Sequence, residues 1–141
     1  DYKMDIEEQG LEVKINLIER PLLVVADRSK LKRVLDNLIS NAVKYNKENG
    51  EVLIKTETDN KGALLCISDS GIGIKENDSK KVFDGFYRGD VSRSNIKGNG
   101  LGLAISKQIV ESHRGKIWFK SVENVGTDVF IYLPLRERDQ Q

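Results

Sequence analysis

Between Asp27 and Tyr45 the apolar residues recur at helical spacing and make one stripe: Leu31, Leu35, Leu38 and Ala42, flanked by Val34 and Ile39. Asp27 stands just before the run, where an N-cap belongs. A helix with one apolar stripe has to lay it on a second layer. The rest of the chain supplies that layer. Leu11 to Leu17 alternates apolar and polar, which predicts a half-buried strand. Val52 to Thr58 and Ala63 to Ser68 read as two strands, with Asn60-Lys61-Gly62 as the hairpin between them. Glu76 to Phe83 reads as a short helix and Leu101 to Ser112 as an amphipathic one. Lys116 to Ser121 and Val129 to Leu133 close the chain as strands. Hairpin-paired strands with helices between them predict an α+β two-layer sandwich. Its sheet is mixed but mostly antiparallel, of about five strands, covered by about three helices.

Composition narrows the function. The chain has 141 residues, the size of one domain, and we read 1–141 as a single unit. A net charge of +1 gives no field to attract nucleic acid or anionic lipid. No apolar stretch approaches the roughly 20 residues needed to cross a bilayer. The single cysteine, Cys66, lies in an apolar run and reads as a buried thiol. The chain opens on Asp1 rather than Met, which predicts a piece of something longer.

Three polar segments carry chemistry. Asn37, Asn41, Lys44 and Tyr45, at spacings of four, three and one, share one flank of the first long helix. An amide oxygen is a hard ligand suited to Mg²⁺, lysine meets phosphate, and a tyrosine ring offers a face to a base. Next, Asp69-Ser-Gly71-Ile-Gly73-Ile74 follows directly on a strand. Asp69 is placed to accept from an exocyclic amine, and the glycines permit close approach of a flat ligand. Last, Gly98-Asn-Gly100-Leu101-Gly102-Leu103 ends a long polar loop and opens a helix, where free N–H groups bind anions. Each segment alone also reads as an ordinary turn or a set of satisfied amides. In fixed order within one small domain, they point to a nucleotide.

At these residues the chain resembles the ATP-binding catalytic domain of bacterial sensor histidine kinases, in the Bergerat-fold superfamily shared with gyrase. Asn37 to Tyr45 looks like the asparagine box, and Asp69 to Ile74 like the first glycine box. Val82 to Arg88 resembles the phenylalanine box, and Gly98 to Leu103 the second glycine box. The closing strand has its counterpart in Gly126-Thr127 before Leu133-Pro134. Two positions depart from the pattern: Gly85 stands where a large charged residue is usual, and His113-Arg114-Gly115 replaces His-Gly-Gly.

The resemblance implies a role for each position. Asn41 would hold Mg²⁺, with Asn37 beside it and Lys44 on phosphate. Tyr45, Gly71, Gly73 and Ile74 would line the adenine pocket, with Asp69 and Thr127 reading the amine. Gly98, Gly100, Leu101, Gly102 and Leu103 would hold phosphates beneath an ATP lid over 88–98. That lid carries the cations Arg88, Arg93 and Lys97; its length and polarity, with only Val91 and Ile96 to anchor it, predict that about Gly89 to Lys97 is mobile without nucleotide. The implied cofactors are ATP and Mg²⁺. The implied reaction passes the γ-phosphoryl group to a histidine on the parent kinase's dimerisation and phosphotransfer domain, and from there to a response regulator. The superfamily's glutamate base is replaced by Asn37, which argues against efficient hydrolysis or serine phosphorylation. An anti-sigma-type serine kinase and a nucleotide sensor without catalytic output remain open alternatives. The implied setting is a cytoplasmic, monomeric domain of a membrane-bound sensor that itself touches neither membrane nor nucleic acid. His113, the sole histidine, reads as a helix cap rather than the phosphoacceptor.

Overall fold

The computed structural model describes residues 3–75 and 99–140. Helix α1 (Lys3–Gln9) leads into β1 (Glu12–Asn16), α2 (Arg28–Lys44), β2 (Glu51–Thr58) and β3 (Gly62–Asp69). Then come α3 (Asn99–Ser112), β4 (Lys116–Val122), β5 (Gly126–Pro134) and a short 3-10 turn at Glu137–Asp139. The five strands form one sheet in the order β1-β2-β3-β5-β4. β1 runs parallel to β2, and the other pairs are antiparallel. This is the expected α+β sandwich. α1 has no counterpart among the elements that the sequence pattern predicts. The expected short helix at 76–83, the segment Val82 to Arg88 and the lid over 88–98 lie outside the described residues.

Asp27 caps α2 as expected: its carboxylate accepts from the Lys30 N–H at 3.1 Å and from the Ser29 hydroxyl at 2.9 Å. The buried face of α2 is Val34, Leu38, Ala42 and Val43, packed with Val52, Ile67 and Ile131 of the sheet and with Ile109 and Val110 of α3. The face is therefore rotated from the expected stripe. Leu35 is 38% exposed; it and Leu31 lie at the open apolar pocket of about 370 Å³ whose floor is formed by the core residues Val34, Ile67 and Ile131. The half-buried strand expected at Leu11 to Leu17 is corrected too. All five residues of β1 are exposed, unlike those of β4 at the opposite edge, which alternate between exposed and half-buried.

Asn49 and Arg114 sit at φ 58° and 62°, in the left-handed region. Arg114 occupies the C′ position of α3, where glycine is usual. Its N–H donates to the Glu111 carbonyl at 3.0 Å and the next one, from Gly115, to Val110 at 2.9 Å. Cys66 is a buried free thiol.

Candidate nucleotide site

The C-terminal half of α2 presents the asparagine flank. Asn41 is half-buried, and among the described residues its amide has no hydrogen-bond partner. Such a group is costly unless a ligand or water satisfies it. Asn37 turns toward α3 instead, where its Nδ2 donates to the buried Ser106 hydroxyl at 3.4 Å. Lys44 is exposed, and Tyr45 caps the helix, donating its N–H to the Asn41 carbonyl at 3.0 Å.

The first glycine loop is joined to that cap. The Ile72 N–H donates to the Tyr45 carbonyl at 3.0 Å. A Cβ on Gly71 would lie 2.2 Å from the same carbonyl oxygen, and one on Gly73, at φ +70°, 2.2 Å from the Val122 oxygen. Both glycines are thus required by the chain's own backbone, which crosses itself here, before any ligand is considered. Ile74 is anchored as well: its N–H donates to Ser121 Oγ at 2.7 Å.

Asp69 ends β3 directly opposite Thr127 of β5. Its Oδ1 accepts from the Gly71 N–H at 2.9 Å. Burial pushes its carboxyl up from 3.8 to about 6, and the like charge of Asp128 adds to the rise. The backbone N–H groups of Gly71 and Thr127 oppose the shift without cancelling it. The Thr127 hydroxyl lies 2.7 Å from Ser121 Oγ. The site floor is therefore a half-buried acceptor with a hydroxyl pair beside it.

Two residues of this framework escape the sequence pattern. Asn46 is fully used: Nδ2 donates to the carbonyls of Ala42 (3.1 Å) and Glu51 (2.9 Å), and Oδ1 accepts from the Lys47 N–H (2.9 Å) and Ser70 Oγ (3.2 Å). It ties α2 to β2 and to the glycine loop. Ser121 bridges that loop to the β4–β5 turn, which it also reaches through the Gly126 carbonyl at 3.1 Å. The available signal for Asn46 is its place just past a helix end. Ser121 has none, because the loop residue it anchors, Ile74, lies 47 residues earlier.

At the second glycine box α3 starts at Asn99, so Gly100, Leu101 and Gly102 lie in its first turn and Leu103 follows, half-buried. Arg88, Arg93, Lys97 and Gly98 lie outside the described residues. Among the described residues no cluster of three or more His, Cys, Asp or Glu side chains could hold a metal.

Residues 26–137 match the family described as histidine kinase-, DNA gyrase B-, and HSP90-like ATPases, and the chain belongs to that family. Its likeness is to sensor histidine kinases. It is 45% identical over 137 residues to the sensor histidine kinase WalK of Bacillus subtilis (strain 168), a match covering 95% of this chain and 22% of that protein. The chain thus spans about a fifth of that relative's length. The solved catalytic domain of histidine kinase ThkA superposes with a TM-score of 0.80 at 31% identity, covering 94% of this chain and 86% of that one. ThkA solved in complex with the response regulator protein TrrA superposes at 0.77 with 29% identity, covering 96% and 37%. Among the described residues no helix is long and apolar enough to cross a membrane.

Proposed function

We propose that this domain binds Mg-ATP between α2 and the first glycine loop and passes the γ-phosphoryl group to a histidine on a separate helical domain of its parent kinase. A single observation carries the reading. The Ile72–Tyr45 backbone bond joins the loop that begins at the Asp69 acceptor to the helix end that presents Asn41 and Lys44. Base reading and phosphate reading are therefore held by one rigid junction. Asp69 accepts from the adenine amine, with Thr127 beside it, and Tyr45 and Ile74 line the base.

An open amide oxygen suits Mg²⁺, which keeps several waters and leans on phosphate oxygens, so Asn41 is its protein ligand. When bound, that ion supplies positive charge against the phosphates. Lys44 and the lid cations Arg88 and Lys97 add charge from the protein, and the first turn of α3, at Gly100 to Leu103, offers N–H groups to the phosphate oxygens. Asn37 stands near the metal and cannot take a proton. None is required for the attack: a neutral imidazole uses its own lone pair on the γ-phosphorus while the bond to the β,γ-bridging oxygen breaks and ADP leaves, and the proton on the other ring nitrogen passes to solvent afterwards. Catalysis then consists of alignment and charge stabilisation. A response regulator is the downstream acceptor, and the domain works on the cytoplasmic side.

Calorimetry of the domain with Mg-ATP and then Mg-GTP tests the binding half. Asp69 faces an amine on adenine and a carbonyl on guanine, so GTP is expected to bind less tightly by about 1–3 kcal/mol. Equal affinities contradict the assignment of Asp69.

A further inference from the structure

We infer that His113 is a positioning residue for the nucleotide site, acting as a neutral two-ended clamp between α2 and α3. The inference rests on the nucleotide site proposed above.

The geometry starts at Asp27. Its side chain caps α2, which leaves its own N–H in need of an acceptor. In a capping box that acceptor is a Glu or Gln at the third helical position. Here the third position is Lys30, which has no lone pair to offer. His113, 86 residues away, supplies the missing acceptor, and its Nε2 accepts from the Asp27 N–H at 2.9 Å. At its other end Nδ1 lies 2.7 Å from the Ile109 carbonyl oxygen. A carbonyl can only accept, so Nδ1 carries the hydrogen and Nε2 does not. The imidazole thus caps the end of α3 and completes the start of α2.

The consequence comes from where the two helices meet again. Asn37 and Ser106 touch in the middle, so the helices run antiparallel with a pin at the waist. From the waist to His113 is seven residues along α3, and from the waist to Asn99 is also seven. At about 1.5 Å per residue both arms are about 10 Å. Asn41 and Lys44 lie on the arm of α2 beyond the waist, opposite the first turn of α3. Any pivot about Asn37–Ser106 that opens the clamped end moves the nucleotide end by a similar distance. The His113–Asp27 bond therefore adds to the core packing of Ile109 and Val110 against α2 in holding the spacing between the metal-binding flank and the phosphate-binding turn.

Three substitutions separate this role from simple capping. His113→Gln places an amide oxygen in reach of the Asp27 N–H. His113→Asn reaches only the Ile109 carbonyl. His113→Phe keeps the ring and loses both bonds. Titration of each full chain with Mg-ATP, beside thermal melts, is expected to leave the Gln variant near the parent. The Asn and Phe variants should bind about three- to tenfold more weakly. Nitrogen NMR of the parent imidazole should show Nδ1 protonated and Nε2 bare; if the Phe variant fails to fold, this signal and the Gln–Asn pair still decide. Parent-like affinity in the Asn variant, or a protonated Nε2, overturns the clamp while leaving the nucleotide site intact. A parent chain that does not bind Mg-ATP overturns both.

Discussion

Asp69 and Thr127 face each other across β3 and β5, and the Asp69 carboxyl, pushed up to about 6, is the group in this pairing that titrates near neutral pH. Its unfolded value is 3.8, so between pH 3.8 and about 6 the folded chain keeps a proton that the unfolded chain releases. Stability from this group is thus greatest below about pH 4 and declines as pH rises to about 6. Nucleotide binding runs the other way, because an amine donor favours the ionised carboxylate. Mg-ATP affinity should climb as pH rises through about 6 and flatten above it, with proton release on binding in the acid range. Calorimetry across this window in two buffers of different ionisation heat measures both. A flat profile would remove Asp69 from the base contact.

Asp69→Asn separates folding from binding at the same position. An amide oxygen can still accept from the Gly71 N–H, but the new NH₂ group opposes the adenine amine. Affinity for ATP should fall by about 1–3 kcal/mol. The melting temperature of the free domain at neutral pH should hold or rise, since a half-buried charge has been removed.

Asn41→Ala tests the metal. Its amide lacks a partner among the described residues, so its removal should cost the free fold little. Titrations with and without Mg²⁺ should converge for this variant and diverge for the parent. If the variant gains as much affinity from Mg²⁺ as the parent does, another group holds the ion.

Ser121→Ala should loosen the first glycine loop from β4. It removes the acceptor for the Ile74 N–H and the partner of the Thr127 hydroxyl, at a cost of about 1–3 kcal/mol. The melting temperature should drop by several degrees and ATP affinity should weaken with it. Ser121→Thr keeps the hydroxyl on a strand and should restore both.

The places of Asn41 on α2 and of Asp69 at the end of β3 are legible in the sequence because local period and position relative to a strand end fix them, whereas the turn of Asn37 toward Ser106 is not. The strands of the two hairpins and the N-cap at Asp27 are legible too. The rotation of the α2 core face from Leu35 toward Val43 is not legible, because it depends on where the sheet lies beneath the helix. The exposure of Val13 and Ile15 is hidden for a like reason: alternation along β1 cannot tell an exposed strand from a covered one. Gly71 and Gly73 read, in sequence, as openings for a ligand. Their nearest neighbours are the Tyr45 and Val122 carbonyls, a crossing made by residues far apart in the chain. The Asn46–Ser70, Ser121–Ile74 and His113–Asp27 bonds belong to the same class of long-range junction.

Phosphoryl transfer from ATP to a supplied histidine is the decisive experiment. With the phosphates at the proposed site, His113 cannot attack within the same molecule. Both ring nitrogens are engaged, and it lies about 20 Å along α3 from Gly100, whereas attack requires about 3–3.5 Å. The domain should therefore be incubated with γ-labelled ATP alone, and then with the histidine-bearing helical hairpin of its parent kinase. No label is expected on the domain in the first mixture, and acid-labile label is expected on the hairpin histidine in the second. Label on His113, or an unlabelled hairpin when ATP is bound, would contradict the proposed phosphotransfer.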